Sequence, residues 1–198
     1  MNMAHLTMEA LVCELLAPVS QDITGTPPLT ARELEVPTVE VRGIDLAHPL
    51  LQHKLGVARE LLLRDLVAAL RRGPVMDSPQ ALRDWLRLYC ARIEHEVFLV
   101  LYLDARHALI EVEELFRGTL TQTSVYPREL VKGALKRNAA AVAVAHPHPS
   151  SGNVEPSRAD EFLTGSLRQA LQLVDVRLID HFIVSGDSVL SFAECGRL

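Results

Sequence analysis

The sequence predicts a layered α/β domain, and three observations predict it. Val97 to Leu103 is an uninterrupted apolar run of strand length, as a central strand buried on both faces requires. Ala139 to Ala145 is a second such run. Amphipathic helical segments beginning at Pro127 and Ser157 follow one run and then the other, so strands and helices alternate along the chain.

Taken in order, the first fifty residues are the hardest to read. Met8 to Leu16 has helical spacing, while Gly25 to Pro28 and then Pro37 interrupt the chain. Leu50 to Leu70 reads as a longer helix, with Leu51, Leu55, Ala58, Leu62 and Ala69 near one face, and Gly73-Pro74 ends it. A boundary is therefore expected at Gly73, giving a small helical segment over 1–73 and the α/β domain over 74–198. Ser78 caps a further helix that opens on Pro79 and buries Leu82, Trp85, Leu86, Tyr89 and Ile93. Glu96 sits at the mouth of the first apolar strand. A second strand follows over Ala108 to Phe116, with Gly118-Thr119 as a turn or bulge. The helix from Pro127 runs to Arg137 and leads into the second apolar strand. The helix from Ser157 is expected to bury Phe162, Leu163, Leu167, Ala170, Leu171 and Val174. Val176 to Val184 and Val189 to Phe192 complete the chain as a hairpin about Ser185-Gly186-Asp187-Ser188.

Composition narrows the function classes. The chain of 198 residues is 48% hydrophobic and 23% charged, enough apolar material for a packed core. No apolar run has the length of a membrane span, and the N-terminus lacks a basic region followed by an apolar one, so no membrane partner is expected. Cys13, Cys90 and Cys195 are odd in number and lack metal-type spacing, which reads as reduced thiols in a cytoplasmic protein. The net charge of -5 lies in residues 1–50, where seven acids face two arginines; residues 51–198 balance at eighteen of each sign. A dedicated nucleic-acid binder shows a basic face instead. Arg71-Arg72 and Lys136-Arg137 are the paired basic residues, and both pairs read as solvated surface.

The chemistry gathers in Ala145-His146-Pro147-His148 and the residues after it. Side chains on a strand alternate, so His146 and His148 project to one side, close enough for both imidazoles to grip one metal ion. A turn of prolines, glycine and serines leads to Ser157, with Asp160 three residues later. Ser157 and Asp160 also make an ordinary helix start, a serine cap with an acid in the first turn. The two readings are compatible, because the cap fixes the carboxylate that a metal needs. Two nitrogens and one carboxylate leave a fourth position open, the arrangement of a catalytic zinc.

His-x-His followed by Ser-x-x-Asp, with a Glu on an earlier strand, resembles the JAMM signature of JAB/MPN-domain zinc metallopeptidases. The wider text is similar to the RadC family: Glu96-Val97-Phe98, Phe116-Arg117-Gly118-Thr119-Leu120, Val125-Tyr126-Pro127-Arg128-Glu129, Asn138 to Val142, and Asp180-His181-Phe182-Ile183-Val184. The resemblance covers about residues 75 to 198. It implies the MPN (JAB) fold, a mixed sheet flanked by helices, with Zn2+ held by His146, His148 and Asp160. Glu96 then corresponds to the general base and Ser157 to the serine that helps hold the oxyanion. The implied activity is hydrolysis of a peptide or isopeptide bond in a protein or peptide substrate of unknown identity.

The sequence departs from the pattern at three places. Eight residues rather than seven separate His148 from Ser157, so the turn must absorb one more while still delivering Asp160 to the ion. Pro147 stands where RadC proteins usually carry Asn. The family's N-terminal helix-hairpin-helix elements, which present backbone amides to DNA phosphates, are reduced here to a shortened stretch. In it, Asp45 replaces the second glycine of a Gly-x-Gly turn. These departures define the alternatives to a hydrolase: a DNA-associated protein of repair type, or a metal-free MPN module acting as an interaction scaffold. Self-association into a homo-oligomer is compatible with each.

Overall fold

The computed structural model describes residues 3, 5–17, 47–77, 79–118, 125–148 and 154–198. The interruptions at Gly25 to Pro28 and Pro37, the Gly43-x-Asp45 turn, the Ser78 cap, Thr119 and the turn over 149–153 lie outside the described residues. Two helices come first, α1 (Met8–Leu16) and α2 (Pro49–Arg72). The chain divides into two compact units, Met1–Arg64 and Asp65–Leu198, and the division falls inside α2, upstream of Gly73-Pro74.

In the first unit, Thr7 Oγ1 accepts the Ala10 N–H (3.1 Å) and so caps α1. Met3, Leu11 and Val57 form its small core. Arg64 Nη1 donates to the Leu6 carbonyl (2.6 Å), and His53 Nε2 lies 2.7 Å from Glu14 Oε1.

The second unit is a five-stranded mixed sheet. Its strands are β1 (Val97–Leu103), β2 (Leu109–Arg117), β3 (Ala141–Pro147), β4 (Arg177–Ser185) and β5 (Ser188–Ser191), in the order β2-β1-β3-β4-β5. Only the β3–β4 pair is parallel. Parallel neighbours need a crossover, and α5 (Arg158–Gln172) supplies it. The other helices of this unit are α3 (Pro79–Cys90), which packs on β4 and β5, and α4 (Pro127–Lys136). Every residue of β1 and β3 is buried, as their unbroken apolar runs demand.

One face of the sheet carries Phe98, Val100, Tyr102, Val142 and Val144 against Leu130 and Ala134 of α4 and Leu167 and Leu171 of α5. The approach of α4 to β1 is close at Gly133, where a Cβ would lie 2.2 Å from the Tyr102 hydroxyl oxygen. The β4–β5 hairpin turns at Gly186, whose φ of +54° suits glycine at the first central position of a two-residue loop. Gly118 N–H donates to the Glu96 carbonyl (2.8 Å), extending the β1–β2 ladder to the mouth of β1.

Three readings from the sequence differ from the structure. Phe162 is 79% exposed. The buried stripe of α5 is Asp160, Thr164, Leu167 and Leu171, at i, i+4, i+7 and i+11, which turns Phe162 outward. Ile93 lies beyond the end of α3, and Cys90 takes the last buried position of that helix. Arg137 is not solvated surface. Its guanidinium forks onto both Glu111 carboxylate oxygens (2.9 Å each), approaches Glu113 at 3.2 Å and stacks 4.3 Å over the Tyr102 ring. That arginine is committed to joining α4 to the sheet.

Candidate metal centre

His146 is the last residue but one of β3, and His148 follows the strand's last residue, Pro147. The His148 N–H donates to the Val184 carbonyl (2.7 Å), so β3 stays locked to β4 up to the second imidazole. Backbone N–H groups along a strand point to alternate edges. The N–H that Pro147 lacks would therefore face β1, beyond the last β1–β3 pair, Leu99↔Ala145. The proline breaks no bond of the β3–β4 ladder, and the two histidines keep one face.

Ser157 caps α5 through a reciprocal pair of bonds. Its hydroxyl accepts the Asp160 N–H (3.2 Å), and its own N–H donates to Asp160 Oδ2 (2.8 Å). The Ser157 hydroxyl proton also lies on Asp160 Oδ2, at 2.6 Å. With Oδ2 so held, Oδ1 turns towards the sheet and stands 3.2 Å from His146 Nε2. The Nε2 atoms of His146 and His148 are 2.9 Å apart. One donor atom from each of His146, His148 and Asp160 lies within 4.8 Å of the others, and the three form a group that can hold a metal ion. The eight-residue spacing after His148 thus leaves the carboxylate at the histidines.

The donor set fits zinc. Ligands of a tetrahedral ion at about 2.1 Å stand about 3.4 Å from one another. The observed 2.9 and 3.2 Å are near that, before any adjustment of side chains. Two imidazole nitrogens and a carboxylate oxygen all offer lone pairs to one point, an arrangement that needs a proton or a cation between them.

Burial works against the Asp160 anion, but the bonds from His146 and Ser157 outweigh it and hold the carboxyl well below the usual carboxylate range. Glu96 is half-buried at the entrance to β1. Alternation back from Phe98, whose ring stacks on His146 with centroids 6.4 Å apart, assigns Glu96 to the same face as both histidines.

Two residues outside the predicted ligand and catalytic set join this site, His181, known from the sequence only as part of a family motif, and Thr164. His181 of β4 places Nε2 2.9 Å from His146 Nδ1 and Nδ1 2.6 Å from Thr164 Oγ1. The Thr164 hydroxyl donates to the Asp160 carbonyl at 2.6 Å. Phe192 stacks on the His181 ring at 4.7 Å and Phe98 meets it edge-on at 6.1 Å. The neighbouring Asp180 faces the other way. Its carboxylate accepts from Ser191 Oγ and from the Ala193 and His181 N–H groups, fastening the C-terminal segment. The register Val144↔His181 fixes which of the two neighbours looks at the metal group, and that register is a property of the sheet.

Burial pushes the His181 imidazole down to about 3. The unfolded chain therefore takes up a proton below about pH 6.5 that the folded chain refuses. Stability of the metal-free protein then falls as pH drops from about 6.5 towards 3, by up to about 1.4 kcal/mol per pH unit. Urea unfolding of wild type and His181→Gln at pH 7 and pH 5 checks this, with the variant expected to show the shallower dependence.

A mixed α/β sheet with a strand-end histidine pair facing the capped start of its crossover helix defines a JAB-type domain. Residues 76–197 match the RadC-like JAB domain family, and the chain belongs to that family. It is 61% identical over 150 residues to a UPF0758 protein of Leptothrix cholodnii, covering 76% of this chain and 67% of the relative. A UPF0758 protein of Methylibium petroleiphilum is 53% identical over 165 residues (83% and 74%). One from Nitrosomonas eutropha is 57% identical over 145 residues (73% and 64%). No helix among the described residues is long and apolar enough to cross a membrane.

Proposed function

We propose that the chain is a zinc-dependent hydrolase of the JAMM type, cleaving a peptide or isopeptide bond in a protein or peptide substrate with water as the nucleophile. The observation that supports this is the convergence of His146 Nε2, His148 Nε2 and an Asp160 oxygen, donors from a strand end and a helix first turn. Three protein ligands leave a fourth position to water or substrate, the pattern of catalytic rather than structural zinc.

His146, His148 and Asp160 would hold the ion. Zn2+ bound there supplies Lewis acidity, polarising the scissile carbonyl and bringing the ionisation of water towards neutral pH. Glu96, on the same face by strand alternation, takes the proton of the attacking water and returns it to the leaving amine. Ser157 orients Asp160 through its hydroxyl and its N–H. Donating to a substrate oxyanion requires it to exchange the Oδ2 bond for one to the substrate. The hydrophobic floor of β1 and β3 keeps the donors rigid, since each strand is buried at every position.

Purification without chelator is expected to yield about one zinc per chain. A panel of peptide and isopeptide substrates should be cleaved, with activity lost on chelation and restored by Zn2+. Less than about 0.1 zinc per chain, with none taken up on addition, would identify a metal-free scaffold instead.

A further inference from the structure

We infer that Thr164 and His181 form a relay that holds a proton on His146 Nδ1, so that Nε2 is the nitrogen His146 turns to a metal ion. The inference rests on the metal-binding reading above and deepens it. It follows from counting protons along a buried chain of contacts.

The Thr164 hydroxyl has one proton. The Asp160 carbonyl can only accept, so at 2.6 Å that proton is given to it. Towards His181 the Thr164 oxygen must then act as acceptor, which requires the proton of His181 on Nδ1. His181 is fully buried, between two phenylalanine rings, and neither of its ring nitrogens bonds a carboxylate, so it is neutral. With its proton on Nδ1, its Nε2 is an acceptor. The partner of that nitrogen is His146 Nδ1 at 2.9 Å, which must therefore donate. His146 then carries a proton on Nδ1 and turns Nε2 to His148 and Asp160. In the metal-free chain a proton bridges these donors; a cation takes its place.

The same helix face supplies both ends of the device. Asp160 offers a ligand oxygen, and Thr164, one turn on, decides the protonation of the histidine opposite. Thr164→Val keeps the shape of the side chain and removes the acceptor. His181 would then carry its proton on Nε2, leaving Nδ1 bare against a methyl group, because an N–H there would be buried without a partner. That proton would point at His146 Nδ1, driving the His146 proton onto Nε2 and closing the metal position.

The test is long-range 1H–15N correlation of the histidine rings in the metal-free full chain at pH 8, with zinc affinity measured by chelator competition. Wild type and Thr164→Ser are expected to show His146 protonated on Nδ1 and to bind zinc within about threefold of each other. Thr164→Val is expected to show His146 protonated on Nε2 alone, with Nδ1 bare, and to bind zinc about 10- to 100-fold more weakly. The wild-type spectrum decides on its own should the valine variant not fold: His146 without a proton on Nδ1 overturns the relay. Equal affinity and an unchanged tautomer in Thr164→Val also overturn it. The expected tautomers in a chain that takes up no zinc would support the relay and overturn the hydrolase reading, so the two failures are distinct.

Discussion

Glu96→Gln is expected to lower hydrolysis by about 100- to 10,000-fold, the usual contribution of a positioned general base, while zinc content stays unchanged. The substitution keeps the size and the hydrogen-bonding shape of the side chain and removes its ability to take a proton. The backbone bond from Gly118 to the Glu96 carbonyl is untouched, so the start of β1 and its pairing with β2 are preserved. None of the atoms grouped about the metal position belongs to Glu96, so zinc content should not follow the loss of rate. The measurement pairs metal analysis with steady-state kinetics on one preparation. A variant that keeps its rate removes Glu96 from the mechanism. A variant that loses zinc in proportion to rate makes Glu96 part of the metal group rather than a base.

Much of the fold was legible because its two central strands are buried on both faces, and the matching apolar runs can hardly be read otherwise. The histidine pair was legible because alternation on a strand needs no knowledge of neighbours. Ser157 and Asp160 were legible as a helix cap, and the capping box is what presents the carboxylate. His181 was not, since strand alternation separates it from Asp180 without saying which faces α5. That choice is made by the parallel register with β3, through a crossover the sequence does not order. Thr164 was hidden for a related reason. A purely apolar search of α5 finds Phe162, Leu163, Leu167, Ala170, Leu171 and Val174, a stripe shifted from the observed one, because Asp160 and Thr164 occupy core positions with polar groups. Their partners are His146 and His181, so the place where hydrophobic patterning fails is the site itself. Arg137 was misread as surface because its carboxylate partners lie on β2, outside its own helix.

Asp160→Asn separates metal binding from helix capping, the two functions that the carboxylate combines. An asparagine oxygen can still accept the Ser157 N–H, as Asp160 Oδ2 does now, so α5 keeps its start at a cost of no more than about 1 kcal/mol. The lost charge falls on the metal side. Oδ1 is the hard, anionic member of the donor set beside two neutral imidazoles, and an amide is a poor substitute for it. Zinc affinity is therefore expected to drop by more than about 100-fold, beyond the loss that follows removal of a supporting partner. Acid sensitivity should change with it. The Asp160 carboxyl is held low in the folded chain, so its contribution to stability is present above about pH 4 and disappears as the pH falls below that. The asparagine variant lacks that contribution and should lose less stability than wild type between pH 5 and pH 3. Chelator competition and urea unfolding across that range read the two effects separately. Unchanged zinc affinity with an altered acid profile would leave Asp160 as a helix cap alone and take the third ligand away from the proposed centre.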